Sequence, residues 1–109
     1  VSNIQPGDVV TFDFPGATGV KRRPMVVVSS DVYHAERPDV ILGVLTSNLA
    51  SATSSSDYVL QDWKAAGLHL PSAFRAYLGM ASVNDVQRIG HLSARDWQAV
   101  RERLRAALA

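Results

Sequence analysis

Lys21, Arg22 and Arg23 stand in a row directly before Pro24 and the apolar run Met25–Val28. Proline fixes its own φ and pushes the residue before it toward an extended conformation. Arg23 is therefore expected at a strand entrance, with its guanidinium aimed in a defined direction. A guanidinium held in that way reads phosphate or carboxylate, because its planar fork donates parallel hydrogen bonds. Other reactive side chains are sparse. There is no cysteine, which excludes disulfides and thiolate metal sites. His34, His69 and His91 are isolated, and no two have metal-ligand spacing, so neither a metal nor a cofactor is expected. His69, within Leu68-His69-Leu70-Pro71, reads as a half-buried loop histidine, and His91 as a residue shaping a helix entrance.

The elements that must position these groups are short. The chain has 109 residues, enough for one domain, and at 47% hydrophobic it can bury a small core. Formal net charge is +1, so no global field marks a nucleic-acid coat protein. The distribution says more, because Arg95, Arg101, Arg103 and Arg105 form a second basic concentration near the C-terminus. No apolar run approaches the ~20 residues of a membrane helix, and the N-terminus shows no signal-peptide pattern. The expectation is a soluble, cytoplasmic single domain over residues 1–109 with no membrane partner.

Gln5-Pro6-Gly7-Asp8 reads as a turn and Val9–Phe14 as a strand, followed by a loop over Pro15–Val20. Met25–Ser29 and Val40–Leu45 suit buried central strands. Ser51–Asp57 is a polar surface connection, and Tyr58–Leu60 a short strand after it. Asp62–Ala66 reads as a one-turn helix with Asp62 as N-cap and Gly67 as its stop. Phe74–Val83 is a long strand with a bend or bulge at Gly79. Ser93 followed by Asp96 resembles a capping box, and Trp97, Val100, Leu104 and Leu108 recur at helical spacing. That spacing predicts a helix from about Ala94 to Leu108, with Trp97 in the core. The expected fold is mainly β with a C-terminal α-helix, a small curled sheet or partial barrel carrying the helix.

The order of these motifs resembles the PemK/MazF family of toxin endoribonucleases of type II toxin–antitoxin systems. The matching pieces are Pro6-Gly7-Asp8-Val9-Val10 with Asp13-Phe14, the basic loop ending in Arg23-Pro24, Met25–Ser30, Val44-Leu45-Thr46-Ser47, Pro71-Ser72-Ala73-Phe74-Arg75, and Gly90-His91-Leu92-Ser93. Together they span nearly the whole chain. The resemblance implies an SH3-like barrel of the MazF/CcdB type, a homodimer, and metal-independent cleavage of single-stranded RNA. It also implies neutralisation by a cognate antitoxin through an extended, acidic C-terminal segment. By position, Arg23 matches the family's catalytic arginine, Thr46 a hydroxyl residue at a strand end, and Arg75 a second arginine used in the Kid/PemK branch. The chain departs from the pattern twice. Pro15–Arg22 contains no acidic residue where many members have one, and Tyr77 stands where the Kid/PemK branch has a carboxylate.

Cleaving RNA without a metal requires that the 2′-hydroxyl lose a proton, that the phosphorane's charge be stabilised, and that the 5′-oxygen gain a proton. Arg23 and Arg75 suit the second task, since fixed cationic donors meet the charge developing on phosphate oxygens. Thr46 adds a neutral hydrogen bond. Lys21, Arg22, Ser47 and Tyr77 are the expected RNA contacts, with Tyr33 and Tyr77 as stacking candidates. Arginine is a poor base, so the candidates for the proton acceptor are Tyr77, His69, Asp13 or a positioned water. Two rivals belong to other classes: a CcdB-like inhibitor binding DNA gyrase through the C-terminal helix, and a non-catalytic SH3-like module binding acidic peptide.

Overall fold

The computed structural model describes residues 3–17 and 19–109. Its element order is β1 (Asp8–Gly16), β2 (Gly19–Val27), α1 (Asp31–Glu36), β3 (Asp39–Thr46), β4 (Tyr58–Val59), β5 (Ala73–Ser82), β6 (Val86–His91) and α2 (Ala94–Ala107), with short 3₁₀ turns at Leu49–Ser51 and Val83–Asp85. The strands form one antiparallel sheet in the order β4-β5-β3-β2-β1-β6. The sheet is curled, as expected, and α2 packs on it.

Strand alternation divides the apolar residues between two faces. Val9, Val26, Leu45 and Phe74 point to one face, where Leu60, Leu68, Leu92 and Val100 join them in a buried cluster. Trp63, Trp97 and Leu104 pack against that cluster, which places Trp97 where the helical spacing predicts it. Val10, Met25, Val27, Val40 and Leu42 form a second cluster on the other face, edged by Phe12, Phe14 and Val44.

Several local expectations need correction. The expected loop over Pro15–Val20 is instead mostly strand, because the β1–β2 register runs out to Gly16↔Gly19. An ion pair between Asp13 and Arg22, 3.0 Å apart, clamps this ribbon. Thr18, inside that expected loop, lies outside the described residues. Asp62–Ala66 is a series of turns rather than a helix, since the Asp62 carboxylate is taken by Ser93 and Arg95 instead of capping its own segment. Gly67 does end those turns with positive φ. The β5 irregularity is not at Gly79. Register passes from Gly43↔Leu78 to Val44↔Arg75, so Ala76 and Tyr77 are the additional residues. Gly43 allows this close packing because a Cβ there would strike the Phe74 ring.

The helix α2 begins as expected at Ser93, whose hydroxyl accepts from the Asp96 backbone N–H at 3.3 Å. The Asp96 carboxylate, however, does not complete a capping box. It is fully buried and accepts from the Tyr58 hydroxyl at 2.7 Å and from the Gln61 and Asp62 backbone N–H groups at 3.1 and 2.8 Å. The turns that precede β5 are thereby tied to the first turn of α2.

Candidate nucleic-acid interface

Arg23 is not at the entrance of β2 but within it, paired with Phe12 of β1. On its other side β2 gains a neighbour only at Met25↔Val44. Pro24 has no N–H to offer a ladder, and the β3 pairing starts just beyond it. Continuing that register by two residues sets Arg23 across from Thr46, and Arg22 across from Ser47, where the strands have parted. The gap opens a groove of about 850 Å³.

Lys21, Arg22, Arg23, Thr46 and Ser47 all line this groove. The segment Gly67–Leu70 lines it as well, with Ser72, Thr11, Gln87 and Ile89. None of the described lining residues is acidic. Arg22 is neutralised locally by Asp13, whose carboxyl is held below its ordinary range first by the Arg22 hydrogen bond. Arg23 and Lys21 have no ion-pair partner among the described residues, and both are among the residues lining the groove. The Thr46 hydroxyl accepts from the Asn48 N–H at 3.1 Å, which fixes its oxygen and leaves its proton available to donate.

The Gly67–Leu70 segment is positioned by glycines. The Ala66–Gly67 backbone presses on β6 so closely that a Cβ at Gly90 would strike the Ala66 carbonyl and one at Gly67 the Ile89 carbonyl. Gly67 also has φ of +89°, which favours glycine on its own account. Ile89 is the additional residue where the β1–β6 register shifts, from Val9↔Gly90 to Val10↔Arg88, and the bulge places it at the groove.

Three candidate residues, Arg75, Tyr77 and Tyr33, are placed elsewhere. Arg75 and Tyr77 do not line the groove. The Arg75 guanidinium lies over the Tyr77 ring, 4.5 Å from its centroid, and donates to the Tyr77 hydroxyl at 3.2 Å. It also lies 3.6 Å from the buried carboxylate of Asp57, too long for a hydrogen bond but close enough for an ion pair. Tyr33, on α1, donates its hydroxyl to Asp39 at 2.6 Å. His91 is bonded to Asp8 at 2.8 Å and borders a different cavity, between the Gln5-Pro6 turn and α2. The groove residues that local reading left out, Thr11, Gln87 and Leu70, carry no sequence signal beyond membership of strands and of the turn before Pro71.

A small curled antiparallel sheet carrying one C-terminal helix, with a cation-lined groove where β2 and β3 part, defines a small β-barrel-like domain. Residues 5–108 match the family model for the PemK-like, MazF-like toxin of type II toxin-antitoxin system, and the chain belongs to that family. No curated protein matches it. Among solved structures it is similar to an endoribonuclease in complex with its cognate antitoxin from Mycobacterial species, with a TM-score of 0.74 and 17% identity over 95% of this chain and 93% of that one. MazE-MazF from Deinococcus radiodurans aligns with a TM-score of 0.73 at 18% identity, over 97% and 95% of the two chains. The Mycobacterium tuberculosis toxin MazF-mt6 gives 0.70 at 17% identity, over 92% and 94%. At these identities the likeness establishes the fold.

Proposed function

We propose that this toxin is a metal-independent endoribonuclease that cuts single-stranded mRNA by attack of the 2′-hydroxyl. The products are a 2′,3′-cyclic phosphate and a 5′-hydroxyl. The observation that carries this reading is the unpaired Arg23 guanidinium sharing one groove with Lys21, Thr46 and Ser47 and with no lining carboxylate. Such a groove attracts a polyanion and meets a phosphorane with a fixed cationic donor. Arg23 stabilises the developing charge, the Thr46 hydroxyl orients a non-bridging oxygen, and Lys21, Arg22 and Ser47 hold flanking phosphates.

The family's toxins are endoribonucleases, and the structures that this chain resembles include toxins solved with antitoxins. We extend both properties to this chain and propose in addition a homodimer in the cytoplasm, neutralised by a cognate antitoxin whose acidic C-terminal segment competes with RNA for the cationic groove. No helix among the described residues is long and apolar enough to cross a membrane.

The test is cleavage of a long unstructured RNA in EDTA by the wild type, Arg23→Ala and Thr46→Ala, with a 2′-deoxy substrate as control. The expected result is cutting that survives chelation, spares the deoxy substrate and drops about 10²–10³-fold for Arg23→Ala, the usual cost of losing one charge-stabilising donor. Intact RNA with folded wild-type protein would overturn the reading.

A further inference from the structure

We infer that His69 is the general base that removes the proton from the 2′-hydroxyl. The assignment rests on the endoribonuclease reading above and supplies the group that reading leaves unnamed. Geometry, rather than residue type alone, singles it out. His69 lines the same groove as Arg23 and Thr46. The other described groups at the groove are cations, hydroxyls, an amide and apolar side chains. Arginine and lysine stay protonated and hydroxyls titrate far above neutrality, so imidazole is the lining group suited to accept a proton near pH 7.

The alternatives are engaged elsewhere. The Tyr77 hydroxyl accepts from Arg75 outside the groove. Asp13 accepts twice from Arg22, at 3.0 and 3.5 Å. His34, on α1, is bonded to Ser29 at 2.5 Å, and His91 to Asp8. His69 is the exception: it is exposed and makes no hydrogen bond, ion pair or ring contact with any described residue. A histidine with a purely structural role is ordinarily bonded or buried.

His69 is nevertheless held in place. Leu68, just before it, is buried in the core. Ser72, just after the Leu70-Pro71 pair, is buried and its hydroxyl donates to the Leu70 carbonyl at 2.8 Å. Gly67 is locked against β6. His69 thus stands on a short span anchored at both ends, in the lining of the groove that also includes Arg23 and Thr46. The charged groups that line the groove with it are Lys21, Arg22 and Arg23 from β2.

In the step itself, a neutral ring nitrogen of His69 takes the 2′-hydroxyl proton as the 2′-oxygen forms its bond to phosphorus. The bond from phosphorus to the 5′-oxygen breaks and leaves its electron pair on that oxygen. In-line attack puts the leaving oxygen on the far side of phosphorus, so solvent water protonates it. The imidazolium then returns its proton to solvent, and the reaction has no net proton change.

The experiment compares wild type, His69→Ala, His69→Gln and Arg23→Ala under single turnover on one unstructured RNA across pH, with and without added imidazole. His69→Ala is expected to lower the cleavage rate about 10²–10³-fold with little change in RNA affinity. The wild-type pH–rate profile should carry an acid limb, and that limb should vanish in both His69 variants. Free imidazole should restore part of the rate to His69→Ala and none to Arg23→Ala. A His69→Ala rate within a few-fold of wild type, or a retained acid limb, overturns the assignment while leaving the endoribonuclease reading intact. A wild type that cuts no RNA overturns both.

Discussion

Asp62 and Arg95 meet in a two-pronged ion pair, with Nε and Nη2 of the guanidinium each 2.7 Å from a carboxylate oxygen. The Ser93 hydroxyl adds a third bond at 2.6 Å. These bonds join the turns leading to His69 to the first residues of α2. Arg95, then Ser93, holds the Asp62 carboxyl down to about 2. A carboxyl lowered in the folded state contributes stability above its ordinary range and loses it as pH falls through the folded value. Stability should therefore decline from about pH 4 down to about pH 2, and Asp62→Asn should remove that part of the slope. Urea midpoints measured across this range check it. Parallel curves for the two proteins would refute the link, and added salt should flatten the wild-type curve because the pair is largely exposed.

Gly90→Ala should destabilise the protein and spoil the groove together. Its Cβ would collide with the Ala66 carbonyl, a backbone atom that cannot swing aside like a flexible side chain. Overpacking of this kind costs about 1–3 kcal/mol. Gly79→Ala is the contrasting substitution, since a Cβ there meets nothing within 4 Å. It should change stability by no more than about 0.5 kcal/mol. Thermal melts of both variants, with RNA binding to whatever remains folded, separate the local clash from a general intolerance of alanine.

Tyr58→Phe should cost about 1.5–3 kcal/mol, the usual range for a hydrogen bond to a charged group. The lost hydroxyl donates to Asp96, which is fully buried and retains only two backbone donors without it. Asp96→Ala should cost more, because it strands the two backbone N–H groups and the Tyr58 hydroxyl at once. Chemical denaturation of the two variants tests the ranking.

Elements built from local regularity were legible in the sequence. β1, β3 and β5 announce themselves through β-branched and aromatic residues, and α2 through Ser93 and the recurrence of Trp97, Val100 and Leu104. β6 was not legible, because Val-Gln-Arg-Ile-Gly-His at the sheet edge is mostly exposed and lacks an apolar face. Neither was α1, which buries no residue. Asp62 looked like a helix cap because its partner Arg95 lies 33 residues away, beyond the reach of any local pattern. The basic wall of the groove was visible as Lys21-Arg22-Arg23. That Thr46 lines the same groove follows from strand register, and the place of Gly67–Leu70 in that lining from glycine contacts between distant segments. His69 read as half-buried because leucines flank it, whereas only Leu68 turns inward and Leu70 is exposed.

Arg75 provides the sharpest comparison with Arg23. Both are arginines that the family resemblance assigns to catalysis, yet Arg75 lies under a different set of constraints: the buried Asp57 carboxylate at 3.6 Å, and Tyr77 beneath its guanidinium. Asp57 in turn accepts from the Ser54 N–H at 3.0 Å, shaping the polar connection before β4. Removing Arg75 takes the cation from a buried carboxylate, which costs stability whether or not RNA is present. Arg23 has no such partner, so removing it should leave stability nearly unchanged. Arg75→Ala should therefore lower the melting temperature and reduce cleavage only modestly at a temperature where it is folded, whereas Arg23→Ala should do the reverse. Asp57→Asn should reproduce much of the Arg75→Ala stability loss if the ion pair is its cause. A folded Arg75→Ala protein that cuts RNA as poorly as Arg23→Ala would show instead that Arg75 reaches the substrate, by a route outside the groove between β2 and β3.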